Sequence, residues 1–146
     1  MTEKRIVSAE REIAGDAGTI FDLLADPANH QLFDGSDTVV AGHPSNPDRL
    51  SLGAKFGMSM RMGVPYRMTS EVVEFEEDRV IAWRHFGHHV WRYQLEPTAD
   101  GKTLVTESFN WGVARFPPFY EWVKYPEKHV VNMTKTLERL AAVVED

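Results

Sequence analysis

A stripe of apolar residues close to the end of the chain constrains its fold more than any other feature. The segment 116–146 contains no glycine, and its apolar residues recur at steps of three and four, at Val130, Met133, Leu137, Leu140 and Val144. That spacing places them on one side of an α-helix. Pro126 marks a kink or the first turn, since proline removes a helical hydrogen bond elsewhere. Such a helix needs an apolar surface to cover.

Strand-like segments precede this helix and predict that surface. We expect strands over 4–13, 38–41, 53–62, 66–75, 79–86, 90–96 and 103–111. One or two short helices follow the first strand, with Asp16 as N-cap and with Leu32 and Phe33 facing inward. Connections after residue 53 are short enough for hairpins, so the sheet is predicted to be an antiparallel meander. The sequence therefore predicts an α+β fold whose sheet is covered by the long helix.

Length and charge exclude several classes of protein. The 146 residues are predicted to form one domain, 1–146, and the net charge of −6 argues against nucleic-acid binding. The absence of cysteine excludes disulfides, thiol nucleophiles and thiolate metal sites. No signal peptide and no apolar run of transmembrane length is found. We therefore expect a cytoplasmic protein without stable membrane insertion.

Alternation over 53–62 predicts one apolar face on that strand. Lys55, Ser59 and Arg61 fall on the opposite face. The apolar face carries Phe56, Met58, Met60 and Met62. A row of methionines suits a deformable cavity wall, and it equally suits the filling of an irregular core.

Aromatic residues are numerous in the remaining strands and in the tail. Some must form the core beneath the helix, and their excess, together with the methionine row, favours a ligand cavity. The predicted ligand-binding residues are Phe56, Met58, Met60, Met62, Val73, Trp83, His85, Trp91, Tyr93, Phe109, Trp122 and Met133.

Glu107 is the charged residue of greatest chemical interest. It shares strand parity with Val105 and Phe109, so its carboxyl is expected to face inward, where burial would raise its pKa and suit it to acid–base chemistry. A bulge that leaves it solvated is the alternative. Glu71 and His85 have matching parity on neighbouring strands and form a second candidate pair. Tyr93 completes the set of catalytic candidates, none of which is decisive.

Three histidines invite a metal hypothesis that their spacing does not support. Zinc requires three or four ligands that converge on one point. His88 and His89 are adjacent in a hairpin and face opposite sides, so only one of them can join His85. We therefore predict no metal site and no cofactor.

Several motifs resemble a known superfamily over nearly the whole chain. They are Ala25-Asp26-Pro27, Val72–Phe75, Arg79–Trp83, Trp91–Thr103 and Val105–Phe109. The chain resembles the helix-grip proteins, which include START and birch-pollen-allergen-like proteins. More narrowly, it is similar to the bacterial polyketide cyclase/dehydrase and lipid-transport family. The resemblance implies a seven-stranded antiparallel sheet wrapped around the C-terminal helix, with a hydrophobic cavity between them.

The fold class alone does not identify the activity, because this superfamily includes carriers, sensors and enzymes. We expect a carrier or sensor that binds a small hydrophobic ligand, either aromatic, polyketide-like or acyl. One alternative is a cyclase- or dehydratase-like enzyme that uses Glu107, His85 or Tyr93 for proton transfer. A second alternative is a dimeric interaction module with little or no cavity. The chain is expected to be a monomer or a homodimer.

Overall fold

A computed structural model of the protein describes residues 6–35, 39–42, 46–62, 64–85, 89–112, 118 and 125–145. At 39–42, 60–62, 64–68, 85, 99 and 125–126 the description covers the backbone alone. The strands are β1 (Ile6–Ile13), β2 (Val39–Gly42), β3 (Lys55–Met62), β4 (Val64–Glu76), β5 (Val80–His85), β6 (Val90–Pro97) and β7 (Thr103–Asn110). The α-helices are α1 (Ala17–Ala25), α2 (His30–Phe33) and α3 (Tyr125–Glu145). Short 3-10 turns span Pro27–Asn29 and Ala99–Gly101.

One antiparallel sheet contains all of these strands, in the order β1-β7-β6-β5-β4-β3-β2. Strands β2 to β7 follow one another in the sheet as they do in the chain, as expected for a meander. Strand β1 lies beyond β7, so the first and the last strand of the chain are neighbours in the sheet. The prediction of an α+β fold with an antiparallel sheet and a C-terminal helix is confirmed.

Helix α3 buries the predicted apolar stripe. Met133, Leu137 and Leu140 are buried, whereas Val131 on another side is 55% exposed. The helix packs against β1, β7 and α2. The periodicity of the tail therefore predicted correctly which side of the helix faces the protein interior.

Helix α1 begins where its N-cap residue was predicted. The Asp16 carboxylate accepts a hydrogen bond of 2.8 Å from the Thr19 backbone N–H, which satisfies one of the free donors of the first turn. Phe21 and Leu24 are fully buried beneath the helix. This cap and this apolar face give the helix its position at the end of β1.

The end of α2 lies directly against the backbone of α3. The Gly35 N–H donates a 2.8 Å hydrogen bond to Thr136 Oγ1. A Cβ atom at Gly35 would lie 2.6 Å from the Thr136 nitrogen, and closer still to the Asn132 carbonyl oxygen. The Arg139 guanidinium also donates to the Asp34 backbone oxygen. These contacts hold α2 against the long helix and require glycine at position 35.

Strand β3 follows the predicted alternation wherever its side chains are described. Phe56 and Met58 are buried, while Lys55 and Ser59 are exposed. The side chains of Met60 and Met62 lie outside the described residues. Of the predicted row of methionines, the structure therefore describes the side chain of Met58, which is buried.

Strand β4 departs from the predicted parity because it contains a bulge. Val72 pairs with Trp83 and Glu74 pairs with Ala82, which are consecutive in β5, so Val73 is an extra residue of β4 that has no partner in the register. Val72 is fully buried and Val73 is 38% exposed. The prediction that Val73 faces the ligand was therefore wrong, because regular alternation was extended through an irregular strand.

The predicted pairing of Glu71 with His85 is also wrong. Glu71 lies opposite Arg84 in the sheet, and His85 lies opposite Ser70. The Glu71 carboxylate and the Arg84 guanidinium form an ion pair of 3.2 Å at a half-exposed position. Glu71 is thus part of the outer surface of the sheet and is not an interior acid.

Candidate functional site

The inner face of β7 is continuous and carries one acid. Thr103, Val105, Glu107 and Phe109 are buried, and the residues between them are half-buried. Strand β7 pairs with β1 and β6 without a register shift. The bulge that would have turned Glu107 outward is absent from this strand, and the side chain of Glu107 is only 4% exposed.

Tyr93 is the polar neighbour of Glu107. The two residues lie directly opposite each other on β6 and β7, and the Tyr93 hydroxyl donates a hydrogen bond to the Glu107 carboxyl group. On its other side, Glu107 faces Ala9 of β1. The carboxyl oxygen Oε1 is buried and has no hydrogen-bond partner among the residues that the structure describes. Half of the carboxyl group is therefore available to another polar group.

The apolar surroundings change the acidity of this pair. Burial raises the pKa of Glu107 to about 8, the bond from Tyr93 opposes that rise, and the nearby Asp34 carboxylate adds to it. Burial, together with the neighbouring Glu107, raises the pKa of the Tyr93 hydroxyl well above its ordinary value. At neutral pH, Glu107 is therefore mainly a carboxylic acid and can donate a hydrogen bond.

A cluster of contacting rings extends from Tyr93 toward α2. The Trp83 ring lies 5.6 Å from Tyr93 and stacks on the His30 ring at 4.9 Å. Phe56 packs edge-on against both Trp83 and His30 at 5.6 Å. We call these residues and Phe33, which is 5.5 Å from His30, the proximal ring cluster. It brings side chains from α2, β3, β5 and β6 together on the inner side of the sheet.

Sequence analysis missed His30. Its Nε2 lies 2.9 Å from the Leu24 backbone oxygen, and burial lowers the pKa of the imidazole, which keeps the ring neutral. Leu32, which was expected to face inward, is 52% exposed. The separation of three residues between His30 and Phe33 is the signal that could have identified the buried side of this turn.

A second apolar cluster lies on the other side of Glu107. Phe109, Trp111 and Met133 form its buried part, and Trp91 packs against it. The His129 ring of α3 lies 4.4 Å from Phe109 and 4.7 Å from Trp91. Burial, with a smaller effect of Lys128, lowers the pKa of His129 to about 4. We call this group the distal ring cluster.

Glu107 lies between the two groups of apolar residues. Val105, two positions before it on β7, belongs to the main core with Trp83 and Tyr93, whereas Phe109, two positions after it, belongs to the distal ring cluster. A polar group next to Glu107 would therefore have apolar side chains on both sides.

The structure brings most of the predicted ligand-binding residues to the interior. The buried ones are Phe56, Met58, Trp83, Tyr93, Phe109 and Met133, and Trp91 is half-buried. Trp122, His88 and the side chain of His85 lie outside the described residues. Within the described part of the chain, no group of three or more histidine, aspartate or glutamate side chains is placed to hold a metal ion.

Comparison with known proteins decides the family. A family model described as polyketide cyclase / dehydrase and lipid transport matches residues 4–145. The chain belongs to the polyketide cyclase/dehydrase and lipid-transport family. Among the helices in the described ranges, none is long and apolar enough to cross a membrane.

Two curated relatives of this family member come from strains of Mycobacterium tuberculosis and are uncharacterised proteins. They are 34% and 33% identical to it over 140 residues, which is 92% of this chain. The chain spans only 62% of the length of each relative.

Solved structures of low sequence identity share the fold of this family member. A protein of Nitrosomonas europaea superimposes with a TM-score of 0.75 at 13% identity, covering 99% of this chain and 97% of the other. A protein of Mycobacterium smegmatis gives 0.75 at 14% identity, covering 99% and 94%. A polyketide-cyclase-like protein of Corynebacterium glutamicum gives 0.61 at 18% identity, covering 95% and 88%.

Proposed function

We propose that this family member binds a small hydrophobic molecule between the inner face of the sheet and α3, as a cytoplasmic carrier or sensor. The whole chain, 1–146, would form one ligand-binding domain in which the sheet grips the helix. The ligand would be aromatic, polyketide-like or acyl. Packing of α3 against both β1 and β7 supports this arrangement.

The observation that carries the proposal is the buried oxygen Oε1 of Glu107, which has no partner within the described residues. Nearly all buried polar atoms in proteins are hydrogen-bonded, and an unsatisfied one costs about 1–3 kcal/mol. A bound molecule with a polar group would remove that cost.

The rings on either side of Glu107 support an apolar ligand. The proximal ring cluster offers Trp83 and Phe56, and the distal ring cluster offers Phe109 and Trp91. Contact with such surfaces contributes about 25 cal/mol for each Å² of apolar area removed from water. Binding sites for small molecules commonly combine many apolar side chains with a few polar groups.

Native mass spectrometry of protein purified without denaturation tests the proposal by detecting any bound small molecule. A second measurement is titration with the uncharged fluorescent probe N-phenyl-1-naphthylamine. We expect the probe to bind the wild type and to bind Trp83→Ala at least about tenfold more weakly, because a large buried ring is lost. Val73→Ala, on the outer face, is the matched control and should bind normally. Absence of both a bound molecule and probe binding would refute ligand binding.

A second candidate is enzymatic, and the acidity of Glu107 favours it. A carboxyl group with a pKa of about 8 beside the Tyr93 hydroxyl can exchange a proton close to neutral pH. It could serve a cyclase- or dehydratase-like reaction of a bound polyketide. Turnover of a co-purified ligand that falls roughly a hundredfold in Glu107→Gln, with binding retained, would establish the enzyme. Binding without turnover would establish the carrier or sensor.

A further inference from the structure

We infer that the ligand of this interior is an uncharged molecule whose polar group is a hydrogen-bonding oxygen, as in a ketone, an ester or an alcohol. We further infer that the site rejects the carboxylate of the same shape. The inference rests on the proposed function, because it assigns the chemical class of ligand to the same site. It excludes free fatty acids as the preferred cargo.

The charges around Glu107 disfavour a ligand anion. The nearest residues in register are Tyr93 and Ala9, which bring a hydroxyl group and a methyl group to the carboxyl. In the described part of the chain, the charged side chain that acts on Glu107 is the Asp34 carboxylate. Sites that bind carboxylates supply arginine, lysine or several N–H donors. Here a ligand carboxylate would instead approach the Asp34 carboxylate, and like charges that share a site repel.

Burial adds a second obstacle to a carboxylate. Glu107 is 4% exposed, and its neighbours on the strand face, Val105 and Phe109, are fully buried. An ion that reached Oε1 would therefore lose its hydration without gaining a partner of opposite charge from the residues that the structure describes, which is a large cost. An uncharged oxygen loses far less hydration on entering the same place.

The free half of the Glu107 carboxyl group matches an uncharged oxygen. Tyr93 already donates to this carboxyl group, and Oε1 remains without a described partner. As a carboxylic acid, Glu107 can donate to a ketone or ester oxygen, and its oxygens can accept from an alcohol. Either contact satisfies the buried oxygen that has no partner among the described residues.

The two apolar clusters determine the shape of the rest of the ligand. Because Glu107 lies between the main core and the distal ring cluster, apolar residues adjoin the polar contact on both sides. An alkyl or aromatic molecule that carries one oxygen would be covered along its length. A charged group of a ligand placed next to Glu107 would be surrounded by these apolar residues and would lose its contact with water.

Displacement of N-phenyl-1-naphthylamine by a matched pair of ligands tests the inference. The pair is 2-undecanone and decanoate at pH 7, which share a nonyl chain and differ in the polar group. We expect the ketone to displace the probe at a concentration at least about tenfold lower than decanoate does. The free energy needed to remove water from a carboxylate is larger than the difference that a tenfold ratio represents. Equal or stronger displacement by decanoate overturns the inference and leaves the proposed function standing. A wild type that does not bind the probe overturns both.

Two variants connect the preference to Glu107. Glu107→Leu removes the hydrogen bond and should weaken 2-undecanone binding about tenfold. Glu107→Gln keeps an uncharged polar group and should weaken it less than about threefold. The probe affinity of each variant is measured first, so that displacement can be converted into a ketone affinity. A ketone affinity that does not change in a folded Glu107→Leu protein overturns the inference, and if that variant does not melt cooperatively, the wild-type ratio of the two ligands decides.

Discussion

At the scale of single residues, the surroundings of Glu107 determine its charge. Its carboxyl group accepts one hydrogen bond from Tyr93 and is otherwise affected by apolar side chains and by the negative charge of Asp34. The gain from that one bond is smaller than the loss of hydration, so the proton is retained at neutral pH. This is a cost to stability that a simple structural core would have no reason to keep.

We predict that Glu107 makes the protein less stable as pH rises from about 5 to 8. In the unfolded chain this carboxyl ionises near its ordinary pKa of 4.5, and in the folded protein near 8. Between these values the folded state binds more protons, so the free energy of unfolding falls, by up to about 1.4 kcal/mol per pH unit. Urea denaturation at several pH values measures the slope.

The variant Glu107→Gln provides the control for this effect. Glutamine cannot ionise, so the gain in stability of the variant over the wild type should increase between pH 5 and pH 8. Above pH 8, the difference should become constant. A difference that does not change with pH would show that the acid is not buried in the folded protein.

At the scale of elements, the bulge in β4 controls which valine is inside. We predict that Val72→Asp lowers the free energy of unfolding by about 3 kcal/mol or more, because an unpaired charge would enter the core. Val73→Asp should cost less than about 1 kcal/mol, because this side chain reaches solvent. The two substitutions are identical and lie at adjacent positions, so they differ only in the side of the sheet that the new side chain faces. The opposite order in thermal melts would rule out the bulge.

Helix α3 offers a similar matched comparison. Leu137→Asp should lower the free energy of unfolding by more than about 3 kcal/mol and prevent stable folding, because Leu137 is buried against the sheet. Val131→Asp should be nearly neutral, within about 0.5 kcal/mol, since the site is exposed and the two residues have similar helix propensity. Circular dichroism melts measure both. A Leu137→Asp protein with the melting temperature of the wild type would show that α3 does not cover the core.

At the scale of the whole molecule, opposing titrations define a pH of maximum stability. Burial lowers the pKa of His30 and of His129 below 6.5, the pKa of histidine in the unfolded chain. Their contribution to the free energy of unfolding is therefore complete above pH 6.5 and is lost as the pH falls below it. Glu107 acts in the reverse direction between 4.5 and 8. We predict that the free energy of unfolding is highest near pH 6.5 and lower at both pH 5 and pH 8. A steady rise up to pH 8 in urea titrations would contradict this.

Much of the fold was predictable because its signals are local. The steps of three and four in α3, the alternation in β3 and the parity of Glu107 on β7 depend only on neighbouring positions in the sequence. The bulge at Val73 was not predictable, because a strand gives no local sign of one extra residue. His30 was missed because α2 is one turn long, too short for a periodic pattern. The lack of a described partner for Oε1 of Glu107 depends on side chains from several strands and could be found only in the structure.

The pairing of β1 with β7 has a consequence for how the protein is made. Ile6 lies opposite Asn110, so strands about a hundred residues apart must meet before the edge of β7 that faces away from β6 is paired. On the ribosome, β1 emerges early and waits unpaired while the whole meander is synthesised. Long-range pairing of this kind slows folding because loop closure must precede the stabilising contacts. During synthesis, β1 therefore presents unpaired backbone N–H and C=O groups until β7 has been made.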